Sequence, residues 1–192
     1  MTKDQQPMAE TLARAGIYEM LSRVVLTEFD SQTLTLFQSV NWQTALERLA
    51  IQVPASTCDD LERLAIDYCH IFVGPRDFCP PYQSVWETGQ MQGLVVDSMK
   101  EFLQIVKPRT KLQIQDHAGM QLEMMAFILQ NDHMNHECEG LAASFFERHI
   151  SWIETMLQKA SQCAETILYQ SILEAGAEFI SLEQALFFQH AD

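Results

Sequence analysis

One stretch, from Gly74 to Trp86, interrupts an otherwise helical pattern and constrains the fold more than any other. It reads GPRDFCPPYQSVW and holds three prolines and a glycine within eight positions. Proline interrupts a helix and biases the residue before it toward extended backbone, so the stretch predicts a stiff, irregular loop between central helices. Its aromatic residues, Phe78, Tyr82 and Trp86, suit an apolar or cationic ligand; the alternative is that they only fill the core beneath.

Apolar residues on both sides of this loop recur at helical spacing, and no segment alternates long enough to require a strand. Six longer helices are predicted. The first covers about 8–26, and the second starts at a capping box at 56–59 and runs to Gly74. The others cover about 88–106, 116–127, 141–159 and 162–188. In the second of these, Asp67 and His70 are predicted to share the polar face. The sequence therefore predicts an all-α fold: a single-domain helical bundle over 1–192, with a polar hinge near 131–140 before the C-terminal helices.

The charge balance limits the classes of partner. The chain has 192 residues and a formal net charge of −14, which disfavours nucleic acid and anionic membrane surfaces and favours a basic partner. No apolar run approaches the length of a membrane span. Five cysteines without a close C-x-x-C pair argue against a disulfide framework, and the N-terminus lacks the apolar core of a signal peptide. We therefore expect a reduced, cytoplasmic protein.

Two acidic positions could carry chemistry. Asp116-His117 stands at a predicted helix start, where backbone N–H groups and the helix dipole favour a carboxylate. Glu123 lies two turns further on the same side, and paired carboxylates can hold a cation or a guanidinium; they can equally form a solvated face. A small enzyme that uses Asp116-His117 as an acid–base pair is one alternative.

A dense group of possible metal ligands falls in the predicted hinge. His133, His136 and Cys138 follow a His-x-x-His-x-Cys pattern, whereas zinc needs three or four converging ligands and the next cysteine, Cys163, is far along the chain. A polar hinge is the preferred interpretation, with a metal-binding helical protein as the alternative. No phosphate-binding or dinucleotide loop occurs, and no cofactor is predicted.

Three blocks of residues resemble those of the TorD/DmsD family of redox-enzyme maturation chaperones. The first is Tyr68-x-x-x-Phe72-x-Gly74-Pro75 followed by Pro80-Pro81-Tyr82-x-Ser84-Val85-Trp86. The second is Asp116-His117-x-Gly119-x-x-Leu122-Glu123-x-Met125, and the third, weaker one is Phe145-Phe146-x-x-His149-Ile150-x-Trp152. The family usually has a proline just before this tryptophan, where the present chain has Ser151. The resemblance extends from about Leu12 to Trp152.

The resemblance implies an all-helical, non-enzymatic protein that acts in the cytoplasm. Its expected partner is the apo-form of a molybdenum oxidoreductase of the dimethyl-sulfoxide-reductase type. Such chaperones bind the twin-arginine signal peptide of that enzyme and hold the catalytic subunit until its molybdopterin guanine dinucleotide cofactor is inserted. A monomer or a homodimer is expected, without stable membrane insertion.

By family analogy, the peptide site lies between the proline-rich loop and the helix that begins at Asp116-His117. The apolar contacts are assigned to Tyr68, Phe72, Pro80, Pro81, Tyr82 and Trp86. Arginine is assigned to Asp116, with Glu123 as a second carboxylate, and His117 is expected to orient Asp116 and to make binding sensitive to pH.

Overall fold

A computed structural model describes residues 5–75, 77–91, 93–106, 116–131 and 140–188. Over these residues the backbone is helical apart from connections and one isolated bridge, which confirms the all-α prediction. The helices are α1 (Gln5–Leu26), α2 (Ser31–Phe37), α3 (Val40–Arg48), α4 (Cys58–Tyr68), α5 (Gln83–Thr88), α6 (Leu94–Val106), α7 (Ala118–Asn131), α8 (Leu141–Phe145), α9 (Ser151–Cys163) and α10 (Ile167–Phe188). Two π-helical turns, Cys69–Val73 and Phe146–Ile150, extend α4 and join α8 to α9.

The helix predicted over 88–106 is wrong at its start, and the preceding loop is shorter than predicted. The irregular backbone ends at Tyr82, and α5 follows it directly. Gly89 then ends α5 in the left-handed region, at φ 73°, and Gly93, at φ 131°, precedes α6. Glycine takes these angles without the penalty that a Cβ would impose. Gly89 and Gly93 therefore stand between α5, which lies mostly within the predicted loop, and α6, which begins at Leu94 instead of near 88.

The boundary between the last two predicted helices also differs. The predicted breaks at 159 and 162 are wrong, because α9 continues to Cys163 and α10 begins only at Ile167. The reason lies in Asp67, whose two carboxylate oxygens accept hydrogen bonds from the Glu165 and Thr166 amides at 2.9 and 2.8 Å. Asp67 thus satisfies amide groups at the start of α10 that have no partner within the helix. It is buried, not on a solvated face as predicted.

The chain divides into two compact units. The first unit comprises Met1–Leu26, Pro81–Ile153 and Leu182–Asp192; the second comprises Thr27–Pro80 and Glu154–Ser181. The single-domain organisation expected from the sequence stays a prediction, and the hinge near 131–140 lies mostly outside the described residues.

In the first unit, α1 packs closely against the start of α7. The Ser22 hydroxyl donates to the Gly119 carbonyl at 2.8 Å. A Cβ at Gly119 would overlap the Leu26 side chain and approach the Ser22 carbonyl oxygen to 3.1 Å. Glycine at this motif position is therefore required by helix packing.

An ion pair links α1 to the end of α10 within the same unit. The Arg14 guanidinium donates to both carboxylate oxygens of Glu183, at 2.7 and 2.8 Å. The Tyr18 hydroxyl donates to the same carboxylate at 3.1 Å, and Arg14 also lies 5.1 Å from the centroid of the Phe187 ring. A buried carboxylate is thus supplied with three donors, the condition under which burying it is tolerated.

The second unit is built around aromatic residues. Phe29 contacts Phe37 and Tyr169 edge-on, at centroid distances of 5.3 and 5.1 Å. Helix α4 begins at a capping box, one residue later than the box predicted at 56–59: Thr57 accepts from the Asp60 amide while Asp60 accepts from that of Thr57. No helix among the described residues is long and apolar enough to cross a membrane.

Candidate functional site

The proline-rich loop and the Asp116-His117 block are joined by backbone hydrogen bonds in the first unit. Tyr82 and His117 form an isolated antiparallel bridge. The Ala118 amide donates to the Pro81 carbonyl at 2.8 Å, and the Gln83 amide donates to the Asp116 carbonyl at 2.9 Å. Two blocks that are far apart in sequence therefore meet, and the starts of α5 and α7 are held side by side.

Asp116 is buried and hydrogen-bonded at this junction. Its side chain is 3% exposed, and its Oδ2 accepts a hydrogen bond from the Ser84 hydroxyl at 2.5 Å. A short hydroxyl-to-carboxylate bond is a strong one. Asp116 therefore ties the two blocks together through its side chain as well as its backbone.

His117 is held in the neutral state. The Gly119 amide donates to its Nδ1 at 3.1 Å, so Nδ1 acts as an acceptor and carries no proton. Burial lowers the pKa of His117 to about 4, against a smaller raising effect from the Asp116 charge. Burial outweighs the Asp116 charge, and His117 is therefore uncharged at neutral pH.

The third sequence block reaches the same junction through a buried polar cluster of Gln83, Gln121 and His149. Gln121 donates from Nε2 to Gln83 Oε1 at 2.6 Å, and His149 Nδ1 lies 3.0 Å from that oxygen. Gln83 in turn donates to the Arg148 carbonyl at 2.7 Å. Buried amides are tolerated when they are paired in this way.

The cluster also assigns the tautomer of His149. Because Gln83 Oε1 is an acceptor, the proton sits on Nδ1, and Nε2 accepts from the Ser98 hydroxyl at 2.9 Å. Burial, followed by the Arg148 charge, lowers the pKa of His149 to about 4. This side chain is therefore a neutral structural link.

The cluster positions a pair of tryptophans that remain partly exposed. Trp152 donates from Nε1 to Gln121 Oε1 at 2.9 Å and to the His149 carbonyl at 3.0 Å. Its ring centroid lies 6.2 Å from that of Trp86. Ser151, which precedes Trp152, is the first residue of α9 and directly follows the π-helical turn Phe146–Ile150.

The nine predicted site residues do not all lie in one unit. Pro81, Tyr82, Trp86, Asp116, His117 and Glu123 belong to the first unit; Tyr68, Phe72 and Pro80 belong to the second. Within the second unit, Tyr68 and Phe72 are ring neighbours at 5.3 Å, and Phe72 is buried in the core.

Glu123 lies on α7 and is partly exposed. Among the described residues, no hydrogen bond or ion pair joins Glu123 to Asp116. The two carboxylates predicted as a pair therefore differ in environment, one buried and bonded, the other reaching solvent.

The proposed metal ligands His133, His136 and Cys138 lie outside the described residues. Within the described ranges, no group of three or more His, Cys, Asp or Glu side chains could hold a metal ion.

Sequence reasoning did not single out Gln83 or Gln121. Both occupy variable positions of the blocks used for the resemblance, and an isolated glutamine carries no spacing signal. Only the packing of α5, α7 and α9 makes them the link between Tyr82 and Trp152.

The chain is similar to proteins of a known family. A sequence model described as nitrate reductase delta subunit matches residues 39–158. The chain therefore belongs to the nitrate reductase delta subunit family.

Named relatives refine this class. The chaperone protein TorD of Shewanella sp. (strain ANA-3) is 28% identical over 169 residues, covering 79% of this chain and 81% of the relative. The chaperone protein YcdY of Escherichia coli (strain K12) is 24% identical over 143 residues, covering 74% of each. The resemblance to TorD-type redox-enzyme maturation chaperones is thereby confirmed, and these chaperone relatives support a non-enzymatic role.

The fold has a counterpart among solved structures. A crystal structure of a protein from Archaeoglobus fulgidus, proposed to be a redox enzyme maturation protein, superimposes with a TM-score of 0.57 at 18% identity. The match covers 88% of this chain and 93% of that one. At this identity, the likeness supports the fold.

Proposed function

We propose that this chaperone acts in the cytoplasm on the apo-form of a molybdenum oxidoreductase of the dimethyl-sulfoxide-reductase type. It binds the twin-arginine signal peptide of that enzyme and holds the catalytic subunit until the cofactor has been inserted. Export is delayed by the same contact, because a bound signal peptide is withheld from other partners.

The observation that carries the proposal is the junction of the family blocks in the first unit. Tyr82, Trp86 and Trp152 are partly exposed there. The Tyr82–His117 bridge and the Gln121–Trp152 hydrogen bond hold Tyr82 and Trp152, and the Trp86 ring lies 6.2 Å from that of Trp152. Rigid aromatic side chains bind an apolar segment at a low cost in conformational entropy. They suit the apolar part of a signal peptide, which we expect to bind as a helix.

The net charge of −14 supports the cationic half of the interaction. Complementary charge speeds the encounter with a peptide that carries two arginines. Of the two carboxylates assigned to arginine, Glu123 is accessible without rearrangement. Asp116 is 3% exposed, so contact with an arginine there requires the junction around it to open. We therefore assign the first arginine contact to Glu123 and a supporting or later contact to Asp116.

Binding of a synthetic twin-arginine signal peptide, followed by fluorescence anisotropy, tests this site. Trp86→Ala and Glu123→Gln should each weaken binding about tenfold, which corresponds to about 1.4 kcal/mol. The matched control is Glu178→Gln, which removes an exposed carboxylate of the second unit and should leave affinity within twofold, in the near-neutral range of surface substitutions.

A second peptide separates charge from apolar contact. Replacement of both arginines by glutamine should weaken binding to the wild type but change little for Glu123→Gln. Equal affinity of all variants for the native peptide would reject the site, although the family membership would stand.

The client is identified by affinity capture from anaerobically grown source cells. We expect one molybdenum reductase with its twin-arginine signal attached. Tyr68, Phe72 and Pro80 remain predicted contacts, and a monomer or homodimer remains the predicted assembly.

A further inference from the structure

Two cysteine side chains meet in the second unit. The sulfur atoms of Cys79 and Cys163 are 3.9 Å apart. Cys79 lies in the proline-rich loop and is 0% exposed, whereas Cys163, the last residue of α9, is partly exposed. These residues are separated by 84 positions in sequence, so the pairing could not be read from the cysteine spacing.

Hydrogen bonds hold both residues in this arrangement. The Cys79 amide donates to the Ile71 carbonyl at 2.7 Å, which fixes the loop on the π-helical turn after α4. The Cys163 thiol donates to the Asp77 carbonyl at 3.3 Å, two residues before Cys79. The sulfurs need to approach by about 2 Å to reach the length of a disulfide bond.

We propose that Cys79 and Cys163 form an oxidisable dithiol, a modification site that closes to a disulfide when the cell is exposed to peroxide. This site is distinct from the proposed peptide contacts of the first unit. It would give a chaperone for redox enzymes its own response to oxidant.

The chemistry balances with hydrogen peroxide as oxidant. The Cys163 thiolate attacks one peroxide oxygen, the O–O bond breaks, and the products are the Cys163 sulfenic acid and hydroxide, which takes up a proton. Cys79 sulfur then attacks the Cys163 sulfur, and the S–O bond breaks. The thiol proton of Cys79 leaves with the hydroxyl group as water, so two thiols have been oxidised by two electrons and the peroxide reduced to two waters.

The environments of the two sulfurs support this order of events. Burial is the main cause that raises the pKa of Cys79 to about 12, with the nearby Cys163 sulfur adding to it and Lys159 opposing it. Cys79 is therefore shielded from oxidant and gives up its proton only as it attacks the Cys163 sulfur. Cys163 is the sulfur that peroxide can reach, and Cys79 is positioned to resolve it before further oxidation.

A disulfide here would tie the loop segment 77–80 covalently to the end of α9. The loop is already anchored at Ile71, so the bond would remove its remaining freedom relative to α9. Because the crosslink closes a long loop, the oxidised protein should unfold at a higher temperature than the reduced one.

The test is peroxide oxidation of the reduced, metal-free full-length protein, followed by alkylation with N-ethylmaleimide, digestion and mass spectrometry. We expect a Cys79–Cys163 linked peptide, a decrease of about 2 Da in the intact mass, alkylation of the other three cysteines, and reversal by dithiothreitol. Hyperoxidation of Cys163 without the link, or linkage of either residue to another cysteine, would overturn the proposal.

Two serine variants provide the matched comparison. Cys163→Ser keeps a hydroxyl that can donate to Asp77 and should abolish the linked peptide. Cys69→Ser changes an exposed cysteine of the same unit and should leave the link intact. Cys79→Ala, which buries no new polar group, should leave Cys163 to accumulate as sulfinic acid; unchanged disulfide formation in Cys163→Ser would contradict the pairing.

Discussion

Tyr82 and His117 lie opposite each other across an isolated antiparallel bridge, and their rings meet edge to face at a centroid distance of 5.2 Å and an interplanar angle of 88°. This pair joins the proline-rich loop to the start of α7. In addition to this ring contact, His117 accepts a hydrogen bond from the Gly119 amide. Protonation of His117 would turn that acceptor into a second donor.

We therefore expect the protein to lose stability between about pH 6.5 and pH 4. Burial lowers the pKa of His117 and of His149 from 6.5 to about 4, so in this window the unfolded state takes up protons that the folded state excludes. Lowering the pH then favours unfolding, by roughly 3 kcal/mol for each histidine at the acid end. Urea denaturation at intervals between pH 7 and pH 4 measures the loss.

Substitution of His117 isolates its share of this effect from that of His149. His117→Asn retains an acceptor near the position of Nδ1 but does not titrate. The variant should show a shallower fall of stability with pH, together with some loss at pH 7 because the ring contact with Tyr82 is removed. If the free energy of unfolding of the variant fell with pH as steeply as that of the wild type, His117 would not contribute to the loss of stability.

Alanine substitution of two helical glycines should change the stability of the protein in opposite directions. Gly119→Ala places a Cβ against Leu26 and the Ser22 carbonyl oxygen, and overpacking of this kind should lower the free energy of unfolding by roughly 1–3 kcal/mol. Gly16, in the interior of α1, has no atom within 4 Å of such a Cβ. Gly16→Ala should therefore raise stability by about 0.5–1 kcal/mol through helix propensity. Thermal denaturation of the two variants provides the comparison.

Substitution of only one partner of the Arg14–Glu183 ion pair should lower the free energy of unfolding. Glu183→Gln removes the charge from a carboxylate that accepts from Arg14 and Tyr18, and leaves a half-buried guanidinium without its counter-charge. The expected loss is about 3 kcal/mol in the free energy of unfolding. The double variant Arg14→Met, Glu183→Leu should recover part of it, since no charge is left unpaired; a neutral Glu183→Gln variant would contradict this role.

Local sequence determined the elements of this protein more securely than their boundaries. Helical periodicity, the capping box before α4 and the prolines after Gly74 act over a few residues. Each produces the type of element predicted, although the capping box lies one residue later and the loop ends earlier than predicted. Helix α5 was missed because it begins directly after Tyr82 within the proline-rich stretch, and the start of α6 was placed too early because Gly89 and Gly93 were weighed less than the apolar spacing around them.

What the amino-acid sequence alone determined is the helical class, the position of the rigid loop and the family. Tertiary structure decided which polar residues are buried. Asp67, Gln83 and Gln121 look like surface positions in sequence, yet each pairs with a residue more than 30 positions away. It also decided that Cys79 meets Cys163 and that Asp116 is enclosed whereas Glu123 is accessible. These outcomes follow from packing between distant segments, and local periodicity carries no information about such partners.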